Sequence, residues 1–270
     1  GISTAGDITT MGDRIVFNDF TTLTGNVQLN TGTGGGDVDF LATLSSLTAN
    51  TNNLTIAADS GDINFDFVVG STPLGAVTLS SAQNVGIDNT FSAASLTQSL
   101  GAGTTTIANT LTATTGDVSI TTSGIDLNGN IVATAGTGAV TLEAGAGTLA
   151  LAAAINANGA VSLNGGTAIN TSGNVTTTAD AITFNDPTTL TGNVLLSTGT
   201  GAGDVNFLST LTANAANART LGITAGTGAI NFDNVVGATP LGAVTLTSAG
   251  NVAIDNTFTA VSLTQTAGTG

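Results

Sequence analysis

The stretch Thr72-Pro73-Leu74-Gly75-Ala76-Val77-Thr78-Leu79 decides the fold, and it occurs twice, since residues 239 to 246 read the same. Its second half, Gly-Ala-Val-Thr-Leu, stands again at Gly138 to Leu142 and, with Ser162 for Thr, at Gly159 to Leu163. Apolar residues within these units are two apart: Val77 and Leu79, Val140 and Leu142, and in a sister unit Ile230 and Phe232. That is the period of a strand, whose side chains point alternately to opposite faces, and not the 3.6 of a helix. β-Branched Val, Ile and Thr abound, as strands favour. Gly, Asn, Asp or Ser punctuate the runs every three to six residues, so the strands are short.

Working outward, the same offset links the rest of the chain. Phe17-Asn18-Asp19 returns as Phe184-Asn185-Asp186, Thr21 to Val27 as Thr188 to Val194, and Ile87 to Phe91 as Ile254 to Phe258, each 167 residues later. The match needs no gap, and about two thirds of the positions from Asp13 onward are identical. The organisation expected is a cassette over 1–167 and a partial second copy over 168–270, continuous with it. The pattern is already running at Gly1 and still running at Gly270, so either the natural polypeptide continues or copies join end to end.

A shorter period lies inside the cassette. Segments such as Gly124-Ile125-Asp126-Leu127, Gly147 to Leu151, Gly228 to Phe232 and Asn251 to Ile254 each open a unit. A second apolar cluster follows, as at Ile131-Val132, Ala154-Ile155 or Val235-Val236, and then a Gly-Ala-Val-Thr-Leu strand. Anchors at Ile15, Val38, Ile63, Val85, Ile107, Ile125, Leu149, Ile169 and Ile182 divide the cassette into about eight intervals, the last of only 13 residues. Hairpins would need two-residue turns at fixed places. Asn128-Gly129, Asn158-Gly159 and Asn164-Gly165 do not recur in each unit. A coil of about 21 residues and three short strands explains the recurrence directly. The fold class expected is therefore all-β, a parallel β-solenoid. Strands would stack about 4.8 Å apart, with Val, Ile, Leu and Phe inward, and Thr, Asn and Ser outward. Some 13 coils would make an elongated rod on the order of 60 Å. Pro73, Pro240 and Pro187 are expected at corners, where a missing N–H costs little.

Composition narrows the function. Charged residues are 7%, against a usual value of about 25%. Cys, His, Trp, Tyr and Lys are missing altogether, and Arg14 and Arg219 are the only basic side chains. At 41% apolar residues, regularly spread, the chain can bury a core and is not a disordered one. A net charge of −15 with nothing to neutralise phosphates excludes nucleic acid as a partner. No apolar run is long enough for a membrane-spanning helix, and Gly1 to Thr4 has no signal-peptide character.

Chemistry is sparse. Asp37 with Asp39, or Asp62 with Asp66, could supply the two carboxylates of a glycosidase. In the second copy, however, Asp39 is replaced by Asn206 and Asp62 by Ala229. Gly34-Gly35-Gly36-Asp37-Val38-Asp39 is similar to the Gly/Asp-rich turns of calcium-binding β-rolls, and Asp37, Asp39 and Asp204 are the calcium candidates. The competing and preferred reading is turn capping, since Asp and Asn hydrogen-bond local backbone. On that reading there is no cofactor. The two Arg occupy unrelated positions of the cassette and read as incidental. Phe17, Phe40, Phe65 and Phe91, which return as Phe184, Phe207, Phe232 and Phe258, read as core.

The recurrent Gly-x-Val-x-Leu and Gly-x-Ile-x-Phe units, with Thr, Asn and Ala between them, resemble the β-helical shafts of filamentous-haemagglutinin-like adhesins and related giant bacterial surface proteins. The resemblance spans essentially the whole chain and is one of repeat type. It implies a right-handed parallel β-helix, export across an outer membrane, and an adhesive or fibrous role at the cell surface or outside it. The function expected is the non-catalytic shaft of a secreted or surface fibre. Its partners would be further copies of the repeat and a host-cell or matrix surface. The alternatives are a filament subunit that stacks head to tail and, more remotely, a β-helical carbohydrate-active enzyme.

Overall fold

A computed structural model describes residues 1–269. The chain divides into two compact units, Gly1–Gly138 and Ala139–Gly270. Each is a β-solenoid whose paired strands all run parallel, and the single turn of 3-10 helix at Gly32–Gly34 is the only helical element among the described residues.

In the first unit three ladders form. The first stacks Ile15–Phe17, Val38–Phe40, Ile63–Phe65, Val85–Ile87, Thr104–Ile107 and Gly124–Leu127. The second stacks Ile2–Thr4, Thr21–Leu23, Leu44–Ser46, the beginnings of Val69–Ser81 and Phe91–Gln98, then Leu111–Ala113 and Ile131–Ala133. The third stacks Ile8–Thr9, Val27–Asn30, Leu54–Ala57, the later parts of the same two long strands, and Val118–Thr122. Ile15, Val38, Ile63, Val85, Thr105 and Ile125 stand one above another, at steps of 23, 25, 22, 20 and 20 residues. The coil is therefore elastic in length, because corners absorb insertions while the three strands keep register.

The second unit repeats the plan. Its first ladder holds Val140–Ala144, Val161–Asn164, Ile182–Phe184, Val205–Phe207, Ile230–Phe232 and Val252–Ile254. Its second holds Thr148–Leu151, Ala168–Thr171, Thr188–Leu190 and Leu211–Ala213, then the start of Val236–Ser248. Its third holds Ile155–Ala157, Val175–Thr176, Val194–Ser197 and Leu221–Thr224, then the later part of Val236–Ser248.

Two features differ from the sequence reading. The anchor series mixes ladders: Leu149 stacks on Ile169 and Ile169 on Thr188, whereas Ile182 stacks on Val161. The 13-residue interval from Ile169 to Ile182 is thus part of a coil and not a coil. Ile107 likewise sits one pleat beyond the Val85–Thr105–Ile125 line, over Ile87. An apolar residue every other position marks a strand but not which of three ladders the strand joins. Pro73 and Pro240 were expected at simple corners. Each instead lies inside a 13-residue strand, Val69–Ser81 or Val236–Ser248, that runs from the second ladder into the third through a bulge. The bulge opens at Gly70 and Gly237, both at positive φ (76° and 78°), where a Cβ would meet the carbonyl oxygens of Ser92 and Thr259 at about 2 Å. Only glycine fits there. Pro187, by contrast, precedes Thr188–Leu190 and its carbonyl accepts the Ile169 N–H, as a corner residue can.

Inward positions build the core. Burial alternates along nearly every short strand, as in Ile15–Phe17, Ile63–Phe65 and Ile230–Phe232. Phe17, Phe40 and Phe65 stack face to face with centroids 4.7 and 5.3 Å apart, and Phe91 meets Phe65 edge-on at 5.4 Å. The second copy reproduces the column in Phe184, Phe207 and Phe232, closed edge-on by Phe258. The column follows from the fold, because parallel in-register strands place identical side chains one strand spacing apart, close to the stacking distance of aromatic rings.

Candidate functional site: acidic and amide side chains at the coil corners

Each coil enters its first-ladder strand through a corner, and the candidate acidic residues gather there. Where the chain turns, backbone N–H groups leave the ladder and need another acceptor. Asp37 supplies one, its Oδ1 accepting the Asp62 N–H at 2.9 Å. Asp62 Oδ1 in turn accepts both the backbone N–H and the side-chain amide of Asn84 at 3.0 Å, and Asn84 Oδ1 accepts the Thr104 N–H at 2.9 Å. The result is a relay that climbs from coil to coil. In the second unit Asp204 Oδ1 accepts the Ala229 N–H at 2.7 Å, and Ala229 has no side-chain oxygen with which to pass the relay on. A parallel relay at another corner runs from Asn26 to the Asn53 N–H and from Asn53 to the Ala76 N–H.

Capping was expected to be local. Some of it is: Asn89, Asn109, Asn234 and Asn256 each accept the N–H of the next residue. At the candidate residues, however, the bond reaches the neighbouring coil, 22 to 25 residues away. The carboxylates Asp37 and Asp204 therefore tie coils together.

Asp39 is different. It points outward at the middle of its strand, yet its side chain is only 4% exposed. Its Oδ2 accepts from Arg14 Nε at 2.6 Å and its Oδ1 from Asn64 Nδ2 at 2.7 Å. The Arg14 guanidinium, hydrogen-bonded to this carboxylate and attracted by its charge, is held above its ordinary pKa. Arg14 is not incidental, as the sequence reading had it. The signal lay in the comparison of the copies, because Arg14 and Asp39 both change, to Ala181 and Asn206. Arg219 makes a lesser contact, donating from Nε to Asn214 Oδ1 at 2.7 Å.

Asp66 and Asp88 lie one above the other, at the ends of Ile63–Phe65 and Val85–Ile87. Their N–H groups donate to the carbonyls of Phe40 and Phe65. Partial burial first, then the charges of Asp88 and Asp39, push the Asp66 carboxyl above its usual pKa. Asp233 and Asp255 repeat the backbone arrangement.

Among the described residues, no three Asp, Glu, His or Cys side chains converge where a metal could sit, and no helix is long and apolar enough to cross a membrane. The structure separates the pairs weighed for glycoside hydrolysis into different tasks: Asp37 and Asp62 cap corners, while Asp39 is engaged by Arg14. The shallow surface grooves among the described residues include two with polar or mixed linings. One, of about 320 Å³, is lined by Asp7, Asn26, Gln28, Asn53 and Thr55. The other, of about 340 Å³, is lined by Leu195, Gly222, Thr245 and their neighbours. In the first groove Asp7 is occupied by the Gln28 N–H at 2.7 Å. Comparison with protein-family models, curated proteins and solved structures returns no match to this chain.

Proposed function

We propose that this chain is a structural shaft segment of a secreted or cell-surface bacterial fibre, of adhesin, matrix or sheath type, without catalysis and without a bound cofactor. One observation carries the reading: the two copies preserve the inward core residues and part of the corner caps, while neither candidate acidic pair survives in both. Ile15, Phe17, Val38 and Phe40 are kept as Ile182, Phe184, Val205 and Phe207, and the caps Asp37 and Asn26 as Asp204 and Asn193. Asp39 and Asp62, which a catalytic pair would need, are not kept. Selection for a rod retains the first set, and selection for a site would retain the second. The partners of such a shaft are further copies of the repeat and a host-cell or matrix surface.

The test is the mass of the natural polypeptide under denaturing conditions, together with its release from intact cells by an external protease. A species of many hundreds of kilodaltons that is shaved from the surface is the expected result. A species confined to the cell interior would end the proposal, as would release of sugar from common polysaccharides by the purified chain.

A further inference from the structure

Repetition creates a problem of recognition. The strand Ile15–Phe17 stacks under Val38–Phe40 with Ile15 on Val38 and Phe17 on Phe40. In the second unit Ile182–Phe184 stacks under Val205–Phe207 with the same register and the same inward residues, Ile182 on Val205 and Phe184 on Phe207. The apolar contacts of the two interfaces are therefore interchangeable. Nothing in the core prevents strand 182–184, of the same or another molecule, from taking the place of strand 15–17 beneath 38–40.

We propose that the outward row beside these strands is a copy-specific key, in which Arg14, Val16 and Asp39 in the first copy, and Ala181, Thr183 and Asn206 in the second, admit only the matching coil. All three positions differ between copies, in a region where most positions are identical. In the first copy the row places an almost wholly buried carboxylate, Asp39, against Arg14 Nε at 2.6 Å, with Asn64 Nδ2 completing it at 2.7 Å. In the second the row is neutral. Asn206 Nδ2 donates to Thr183 Oγ1 at 3.4 Å, and Asn206 Oδ1 accepts from Asn231 Nδ2 at 2.7 Å. Each arrangement is satisfied only by its own partner.

The two mismatches fail for different reasons. A second-copy strand beneath Asp39 brings Ala181 and Thr183, so the buried carboxylate gains a hydroxyl neighbour but loses its cation. A buried charge without its partner is strongly disfavoured. A first-copy strand beneath Asn206 brings Val16, so the amide loses its acceptor, and Arg14 arrives with no carboxylate to meet. A half-buried amide that loses one of its two partners is disfavoured as well, by less. Asn64 and its counterpart Asn231 are the same in both copies, so within this row the discrimination resides in the three positions that differ. Buried polar and charged groups that fix register at some cost in stability are known from coiled coils, and the physical logic is the same.

The chain has no cysteine, which permits a direct test. Thr22 stacks on Ser45 in the first unit and Thr189 on Thr212 in the second, all outward at the middle of second-ladder strands. Adjacent parallel strands put such residues within disulfide range. Thr22→Cys with Ser45→Cys therefore reports matched stacking, and Ser45→Cys with Thr189→Cys reports the mismatch. The chain is unfolded in urea and refolded under oxidising conditions. With the native rows, the 22–45 disulfide should form and the 45–189 disulfide should stay rare. Making the rows alike, by Arg14→Ala with Val16→Thr and Asp39→Asn, should raise the 45–189 disulfide roughly tenfold, the expected effect for a charge pair with one exposed member. The opposite equalisation, Ala181→Arg with Thr183→Val and Asn206→Asp, should do the same, and either triple variant is sufficient if the other does not fold. Exchanging the two rows completely leaves them different and should restore the low level. The proposal is overturned if equalised rows leave the 45–189 disulfide unchanged. It is overturned equally if the full exchange raises that disulfide as much as either triple variant.

Discussion

Truncating Phe40 to Ala tests the central physical claim, that each coil is held by the coils directly above and below it. Phe40 is 1% exposed and lies between Phe17 and Phe65, with ring centroids at 4.7 and 5.3 Å and planes within 8°. Removing a fully buried Phe costs about 3–5 kcal/mol through lost transfer energy and the cavity left behind. The two stacked contacts add about 0.5–1.5 kcal/mol each beyond area. The site cannot collapse to recover the loss, because ladder hydrogen bonds hold Phe17 and Phe65 two strand spacings apart, about 9.6 Å. A total of about 4–8 kcal/mol follows, with Phe40→Leu costing only about 1–2 kcal/mol because most of the volume is refilled. A solenoid's stability is a sum of local coil terms, so a single melting temperature is the wrong observable. Native-state hydrogen exchange is the right one. The Leu41 and Asp66 amides, which donate to the carbonyls of Phe17 and Phe40, should exchange at least about 10³-fold faster. The equivalent amides of Leu208 and Asp233, bonded to Phe184 and Phe207, are the internal control and should change little. An acceleration below tenfold at Leu41 and Asp66, or equal acceleration at Leu208 and Asp233, would refute the reasoning.

Three other outcomes are expected. Gly70→Ala combines a positive-φ backbone with a Cβ about 2 Å from the Ser92 carbonyl oxygen, and should lower stability by more than about 2 kcal/mol. Gly86→Ala, whose Cβ would meet nothing closer than 3.4 Å, should stay within about 0.5 kcal/mol when both variants are titrated with urea. Asp66 has a folded pKa above its unfolded value, so folding takes up protons there. Its contribution is fully present below the unfolded pKa of about 4 and is lost as pH rises through the folded value. Relative to Asp66→Asn, the parent chain should therefore lose urea resistance as pH rises above about 4, and a parallel pH dependence of the two chains would count against the burial and like-charge argument. Finally, because Asp37 and Asp204 already cap N–H groups of the next coil, millimolar calcium and a chelator should give the same melting curve. A calcium-dependent rise that disappears in Asp37→Asn with Asp204→Asn would restore the calcium reading of these residues.

The solenoid was legible because its causes are local and recur. Val77 and Leu79, or Ile230 and Phe232, alternate at period two within five residues, and that alternation alone selects a strand with one buried face. The identity of Phe17, Phe40 and Phe65 with Phe184, Phe207 and Phe232 marked the core, since residues kept between copies at inward spacing have packing as their common requirement. The corners were legible only in part. Pro187 behaves as a corner residue, but Pro73 and Pro240 belong to a bulge that depends on Gly70 and Gly237 lying against Ser92 and Thr259 of the next coil.

By itself, then, the sequence determined that this chain is parallel β-structure with one three-strand coil repeated, and which residues face inward. Those properties follow from the pleat, which acts over two residues. The tertiary structure decided the rest: that Ile182 stacks on Val161 and not on Ile169, that Asp37 caps Asp62, and that Arg14 meets Asp39. Each of these joins residues one coil apart, 21 to 25 positions along the chain. The lengths of the intervening corners set which residues meet, and no local pattern encodes that sum.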